Sequence, residues 1–219
     1  MKLVLHNYWR SSASHRVRIA LGLKGLAFEY VAVNILKDGQ HAEPYRAKNP
    51  SAQVPTLEIT EDDGTMRVLT QSLPIIEFLE ERFPAPAHAA LLPRDLWQRA
   101  RARALAEIVN SGIQPHQNLA TTRKLKAAGV DDAAWVKGFV ADGLAAFAHA
   151  AAETAGRFCV GDAPSIADCC LIPQLASARR LDYVAPYPAL LAIEERCLAL
   201  PAFAAAMPDQ QPDRSPQGV

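Results

Sequence analysis

Residues 2–33, KLVLHNYWRSSASHRVRIALGLKGLAFEYVAV, decide the fold. Lys2 to His6 is a short apolar run of strand length. Val17, Ala20, Leu21 and Leu23 share a helical stripe that runs into Lys24-Gly25, a pair suited to a helix C-terminus. Phe28 to Val33 alternates and is β-branched enough for a second strand. The order is strand, helix, strand.

Outward from there, Thr56 to Ile59 and Met66 to Leu69 flank a turn whose Asp63-Gly64 pair suits a hairpin. Ser72 then opens a helix in which Ile75, Ile76, Leu79 and Phe83 share a face. Pro84, Pro86 and Pro93 punctuate a linker expected to lie on the surface of what precedes it. Beyond it the strand signals fade, and 29 of the 40 alanines fall after residue 90, where close helix packing needs small faces. Trp97–Asn110, Ala133–Thr154, Ile166–Arg180 and Tyr187–Leu200 are the expected helices. The fold class is therefore α/β plus all-α, with a mixed domain over 1–83 and an all-helical domain over 90–219. The polar, proline-containing tail DQQPDRSPQGV reads as frayed.

The 219 residues hold 23 Lys+Arg against 23 Asp+Glu, a balance that gives no electrostatic footprint for nucleic acid or an anionic membrane. Half the chain is apolar and 21% is charged, which argues against disorder. No apolar run of about 18 residues escapes a charge or a proline, and His6 and Arg10 interrupt any leader-like start. A soluble, cytoplasmic protein is expected. Cys159, Cys169, Cys170 and Cys197 lack metal spacing and read as small buried apolar residues; no metal is expected.

Four local signals carry chemistry. Arg10-Ser11-Ser12-Ala13-Ser14 puts hydroxyls at a helix start, where free N–H groups and the helix dipole favour an anion. Capping by Ser12 or Ser14 explains the same residues without a ligand. Gln53-Val54-Pro55 places a proline directly before a strand, where a cis bond would expose the Val54 backbone to an extended ligand. Ser72, after Gln71, can cap the third helix. Ser165-Ile166-Ala167-Asp168 is a capping box with Asp at its fourth position, and it carries folding information. A Ser–His–Asp hydrolase is set aside, because Ser14 and His15 are neighbours on a helix and no GxSxG elbow exists.

Taken in this order, these motifs resemble the cytosolic glutathione transferases. SSASHRVRIALGLKGLAFEY, NPSAQVPTLEI, LTQSLPIIEFLEERFP, ALLPRD, GIQPHQNL, FCVGDAPSIADCCLIPQL and APYP resemble the zeta class over nearly the whole chain. That class isomerises maleylacetoacetate, and close bacterial relatives isomerise maleylpyruvate. The resemblance implies a thioredoxin-like N-terminal domain, a helical C-terminal domain, a homodimer, a cis Pro55 and glutathione as cofactor. Position by position, it implies that glutathione meets Ser11, Ser12, Ala13, Gln40, Val54, Gln71 and Ser72, with Gln114, Asn118 and Leu119 from the helical domain.

The resemblance further implies that Ser11 or Ser12 activates the glutathione thiol, and that Arg180 takes a carboxylate of a small anionic diacid. Arg10 is a second candidate, because a guanidinium forks onto a carboxylate. Arg179 is expected at the surface. His15, His41 and His116 have no required part in a reaction that exchanges no proton with the enzyme. Two departures stand out: the class cysteine is Ala13 here, and the Glu61–Arg67 hairpin is longer. A transferase that consumes glutathione on α-haloacids would use the same residues. A binding scaffold would have eroded them.

Overall fold

Our computed structural model describes residues 1–183 and 186–215. Ala185, the first residue of the APYP motif, and the last four residues of the tail lie outside the described residues. The chain divides into two compact units, one formed by residues 1–91 with the described residues from Leu200 onward, the other by Leu92–Ala199.

In the first unit, β1 (Lys2–Asn7), β2 (Glu29–Ala32), β3 (Thr56–Thr60) and β4 (Met66–Thr70) form one sheet in the order β2-β1-β3-β4. β1 and β2 run parallel through the crossover helix α1 (Ser12–Leu23), while β3 is antiparallel to β1 and β4. Leu3 and Leu5 of β1 and Leu57 and Ile59 of β3 are buried, as are Val17, Ile19, Ala20 and Leu21 of α1. Gly25, in the left-handed region at φ +65°, ends α1: its N–H reaches the Gly22 carbonyl at 3.1 Å and the Leu26 N–H reaches Leu21 at 3.0 Å. The short helix α2 (Glu43–Arg46) follows two 3-10 turns, and α3 (Ser72–Arg82) packs Ile75, Ile76 and Leu79 against α1. Phe83 falls just beyond α3 as its half-buried C-cap instead of continuing the helical face.

The proline-rich connection is pinned to this unit. The buried Lys24 ammonium donates to Glu80 at 2.7 Å and to the Phe83 and Ala89 carbonyls at 2.8 and 2.9 Å, and Glu80 also accepts the Leu91 N–H at 2.8 Å.

The second unit contains α4 (Leu96–Asn110), α5 (Gln114–Gln117), α6 (Leu119–Ala127), α7 (Asp132–Ala151), α8 (Ile166–Arg179) and α9 (Pro188–Leu198). Asp95 and Asp131 cap α4 and α7 by accepting the N–H of Gln98 and of Ala134, each at 2.9 Å. At Gly143 of α7 a Cβ would stand 2.3 Å from the Ile113 side chain, so a larger residue there would make Ile113 shift. The short α5 and the amphipathic α6, which has no fully buried residue, were not expected.

The tail corrects two expectations. The described residues from 200 onward belong with the mixed unit, not with the helical one, because α10 (Pro201–Ala206) buries Phe203 and Ala206 and packs on α1. Nor are the described tail residues frayed. Gln211 is buried and donates to the Ala205 and Met207 carbonyls, both at 2.8 Å, and Asp213 accepts the Trp9 N–H at 3.2 Å.

Candidate functional site

Register assembles the site in the first unit. His6 near the end of β1 pairs with Thr56 at the start of β3, which pairs with Thr70 at the end of β4. The chain therefore reaches Ser11, Ser12 and Ala13 just beyond β1, Val54 just before β3, and Gln71 and Ser72 just beyond β4, all at one end of the sheet. β2 ends there too, with Ala32 opposite Asn7, and Gln40 lies on a 3-10 turn farther along the same connection.

Ser11, not Ser12 or Ser14, is the N-cap of α1, and its Oγ accepts the Ser14 N–H at 3.1 Å. That bond uses an acceptor lone pair and leaves the hydroxyl proton available to an anion. The first turn of α1 contains no acidic residue, and the Ser12 and Ala13 N–H groups make no hydrogen bond within the described residues. Val54-Pro55 is cis, and the N–H and carbonyl of Val54 likewise form no hydrogen bond there. The bend is held from behind: Tyr45 Oη and Asn49 Nδ2 both donate to the Gln53 carbonyl, the latter at 2.7 Å.

Gln71, not Ser72, occupies the N-cap of α3, at φ 70° and without a side-chain cap. A non-glycine residue there costs about 1–3 kcal/mol, a strain typical of ligand clamps. Ser72 is the first helical residue, and its Oγ accepts from Nη1 of the fully buried Arg16 at 3.1 Å. Gln40 is buried, and its Oε1 has no hydrogen-bond partner among the described residues. An orphaned buried amide oxygen and two open helix N-termini form a donor and acceptor set that suits a small peptide-like anion. The half-buried Arg10 lies with its guanidinium 5.5 Å from the centroid of the Trp9 ring.

In the helical unit, Gln114 Nε2 donates to Asn118 Oδ1 at 3.1 Å, and Leu119 follows at the start of α6. Gln117 Nε2 donates to Gln114 at 3.1 Å and to the buried Gln174 at 2.8 Å. Arg180 caps α8 and donates through Nη2 to Ser177 Oγ at 3.0 Å. Arg179 instead makes a two-pronged ion pair with the buried Glu194, which neutralises it. Arg180 is exposed and also donates through Nη1 to the Ala176 carbonyl at 3.4 Å. His116 stacks on Phe139 with ring centroids 3.5 Å apart, a packing role.

Sequence reading missed Arg16 and Gln117. Arg16 sits in a basic helix where exposure was the ordinary expectation, and no local pattern distinguishes Gln117 from its neighbours. The four cysteines are buried and none is in a disulfide, and among the described residues no cluster could hold a metal ion.

The N-terminal domain model of the glutathione S-transferases matches residues 5–87. Mouse maleylacetoacetate isomerase is 43% identical over 216 residues, which cover 97% of this chain and 95% of the mouse protein. The chain belongs to the zeta-class glutathione transferase family, the maleylacetoacetate isomerases. Within that zeta-class family, maleylpyruvate isomerase of Ralstonia is 43% identical, covering 95% of this chain and 98% of its own. The crystal structure of maleylacetoacetate isomerase from Anaeromyxobacter dehalogenans 2CP-1, with glutathione in its active site, matches at a TM-score of 0.89 and 52% identity over 98% of each chain. A second structure of that enzyme holds dicarboxyethyl glutathione and citrate in the active site. The zeta-class fold accounts for the architecture above: a thioredoxin-like sheet with its helices, then a helical unit.

Proposed function

We propose that the chain is a glutathione-dependent cis–trans isomerase that converts maleylacetoacetate to fumarylacetoacetate. The observation that carries this reading is the Ser11 cap, whose hydroxyl is oriented by the Ser14 N–H at 3.1 Å while its own proton stays free. Bound glutathione supplies a thiolate that adds reversibly to the conjugated cis double bond, lets it turn as a single bond, and leaves unchanged.

The residues have to make that thiolate and hold a diacid. A thiol with a reference pKa of about 8.5 is mostly protonated at neutral pH. Donation from Ser11 contributes about 1.5–3 kcal/mol, or about one to two pKa units, and the N-terminus of α1 adds its positive end. Ser12 and Ala13 offer backbone N–H groups to the same anion. Val54 offers its backbone to the cofactor's peptide, and Gln71 and Ser72 stand where a second helix N-terminus favours a carboxylate. Gln40 has the free acceptor for an amide or ammonium hydrogen. Gln114, Asn118 and Leu119 are assigned to glutathione by the family positions they match. Arg180 and Arg10 are assigned to the substrate carboxylates, since guanidinium forks match them.

Family membership supports a cytoplasmic homodimer, and no described helix is long and apolar enough to cross a membrane. The deciding experiment supplies glutathione and maleylacetoacetate and follows free thiol alongside product. Isomerisation with thiol unchanged supports the reading; stoichiometric thiol loss makes the protein a transferase instead. A higher kcat/KM for maleylpyruvate moves the substrate assignment to the shorter diacid.

A further inference from the structure

The loop carrying Arg10 and Ser11 has no regular structure of its own, yet its peptides are fixed from outside the loop. Asp213, over 200 residues away in sequence, accepts the Trp9 N–H at 3.2 Å and the Tyr30 hydroxyl proton. The buried Arg18 donates to Asn7 Oδ1 at 2.9 Å and to the Tyr8 and Trp9 carbonyls at 3.4 and 3.1 Å. Its remaining hydrogen bonds go to the end of α10, onto the Ala206 carbonyl, at 3.2 and 3.1 Å. The Tyr8 carbonyl in turn accepts the Ser11 N–H at 3.0 Å. Arg10 rests over Trp9, so the Trp9 peptide governs both residues to which the reaction assigns work.

The groups facing Asp213 keep their form across neutral pH. Burial lowers Arg18 only to about 10, leaving it a cation. Burial and the Asp213 hydrogen bond push the Tyr30 phenol up, leaving it a donor.

The geometry points to Asp213 as a positioning residue for the isomerase, a clamp by which the C-terminal tail sets the Ser11 hydroxyl and the Arg10 guanidinium. It rests on the reading of Ser11 as the donor to the thiolate. Asp213 touches neither substrate nor cofactor in this scheme. It acts by accepting one peptide N–H two residues before Ser11.

The test compares full-length Asp213→Ala, Asp213→Asn and Tyr30→Phe with Ser11→Ala, by ultraviolet titration of bound glutathione and by steady-state kinetics. Asp213→Ala is expected to raise the thiolate pKa by about half a unit to one unit and to lower kcat about tenfold. Asp213→Asn, whose amide oxygen still accepts the Trp9 N–H, recovers most of both. A lowered Tm with wild-type titration, kcat and KM in Asp213→Ala would overturn the clamp, and so would equal losses in the Ala and Asn variants. If Asp213→Ala does not fold, Tyr30→Phe carries the test. It removes the donor that orients the carboxylate and should lower kcat about twofold, and unaltered kinetics overturn the clamp. A normal titration in Ser11→Ala would instead sink the underlying reading, whereas a shift there without one in Asp213→Ala rejects the clamp alone.

Discussion

Helices α1 and α8 both begin on a serine cap and put it to opposite uses. At α8, Asp168 accepts the Ser165 N–H at 2.8 Å, the Ser165 hydroxyl at 2.9 Å and the Cys159 N–H at 2.9 Å. The helix dipole meets a carboxylate that is part of the chain, fully buried and saturated with donors. At α1 the first turn contains no acid, so the same dipole and the same kind of hydroxyl face outward with nothing negative supplied. A serine cap is therefore uninformative by itself. What separates a folding signal from an anion site is whether the chain provides its own anion within the first turn.

Substitutions at the two ends should separate cleanly, and the largest effect is expected at α8. Asp168→Ala leaves three buried donors without an acceptor, which costs about 3 kcal/mol or more. For a chain of this size that is a fall in Tm of about 10 °C, measured by calorimetry, with kcat per folded molecule unchanged. Ser11→Ala comes next and acts in the opposite sense. It costs about 1 kcal/mol of stability as a lost cap, but raises the thiolate pKa by about one to two units. Because the thiolate is the reactive form, the loss should be about ten- to a hundredfold near neutral pH and shrink as pH rises toward the new pKa. A pH–rate profile that falls uniformly, without its midpoint moving upward, would break the contrast between the two helices.

The two arginines at the end of α8 should separate in a similar way, one by stability and one by substrate affinity. Arg179→Ala strands the buried Glu194 carboxylate and should cost about 2 kcal/mol, discounted because Arg179 itself is half-exposed, with KM unchanged. Arg180→Ala should leave the stability within about 0.5 kcal/mol of wild type and raise KM for the diacid about tenfold, with glutathione affinity spared. Equal loss of both affinities in Arg180→Ala would mean a disturbed fold.

These contrasts also show what a sequence can and cannot display. The alternation of Leu3 and Leu5, the stripe of α1 and the Gly25 stop are local, so β1, α1 and β2 are legible from 32 consecutive residues. The α8 capping box is legible for the same reason: cap and acid are three residues apart. The choice among Ser11, Ser12 and Ser14 is not, since each is chemically able to cap and only the backbone conformation at Ser11, φ −68° and ψ 118°, selects it. Gln71 at positive φ is invisible because nothing in its side chain asks for that conformation. The tail misleads outright. Its composition is that of a frayed end, yet Asp213 within it is held by Trp9 and Tyr30, nearly the whole chain away.

The smallest expected effect is the most direct test of the comparison. Ala13 is half-exposed in the first turn of α1, with no acid anywhere in that turn. Ala13→Asp gives α1 an anion of its own, as α8 already has, and a carboxylate there stabilises the helix by about 0.3–1 kcal/mol. It also places a negative charge beside the donors that the thiolate needs. If the open N-terminus is where glutathione sulfur sits, the variant should be slightly more stable, bind glutathione about threefold to tenfold more weakly, and hold its thiol at a higher pKa. A gain in Tm with glutathione affinity and thiolate titration both untouched would mean that the free donors of α1 never meet the sulfur. The absent first-turn acid would then be no more than a tolerated gap in an ordinary cap.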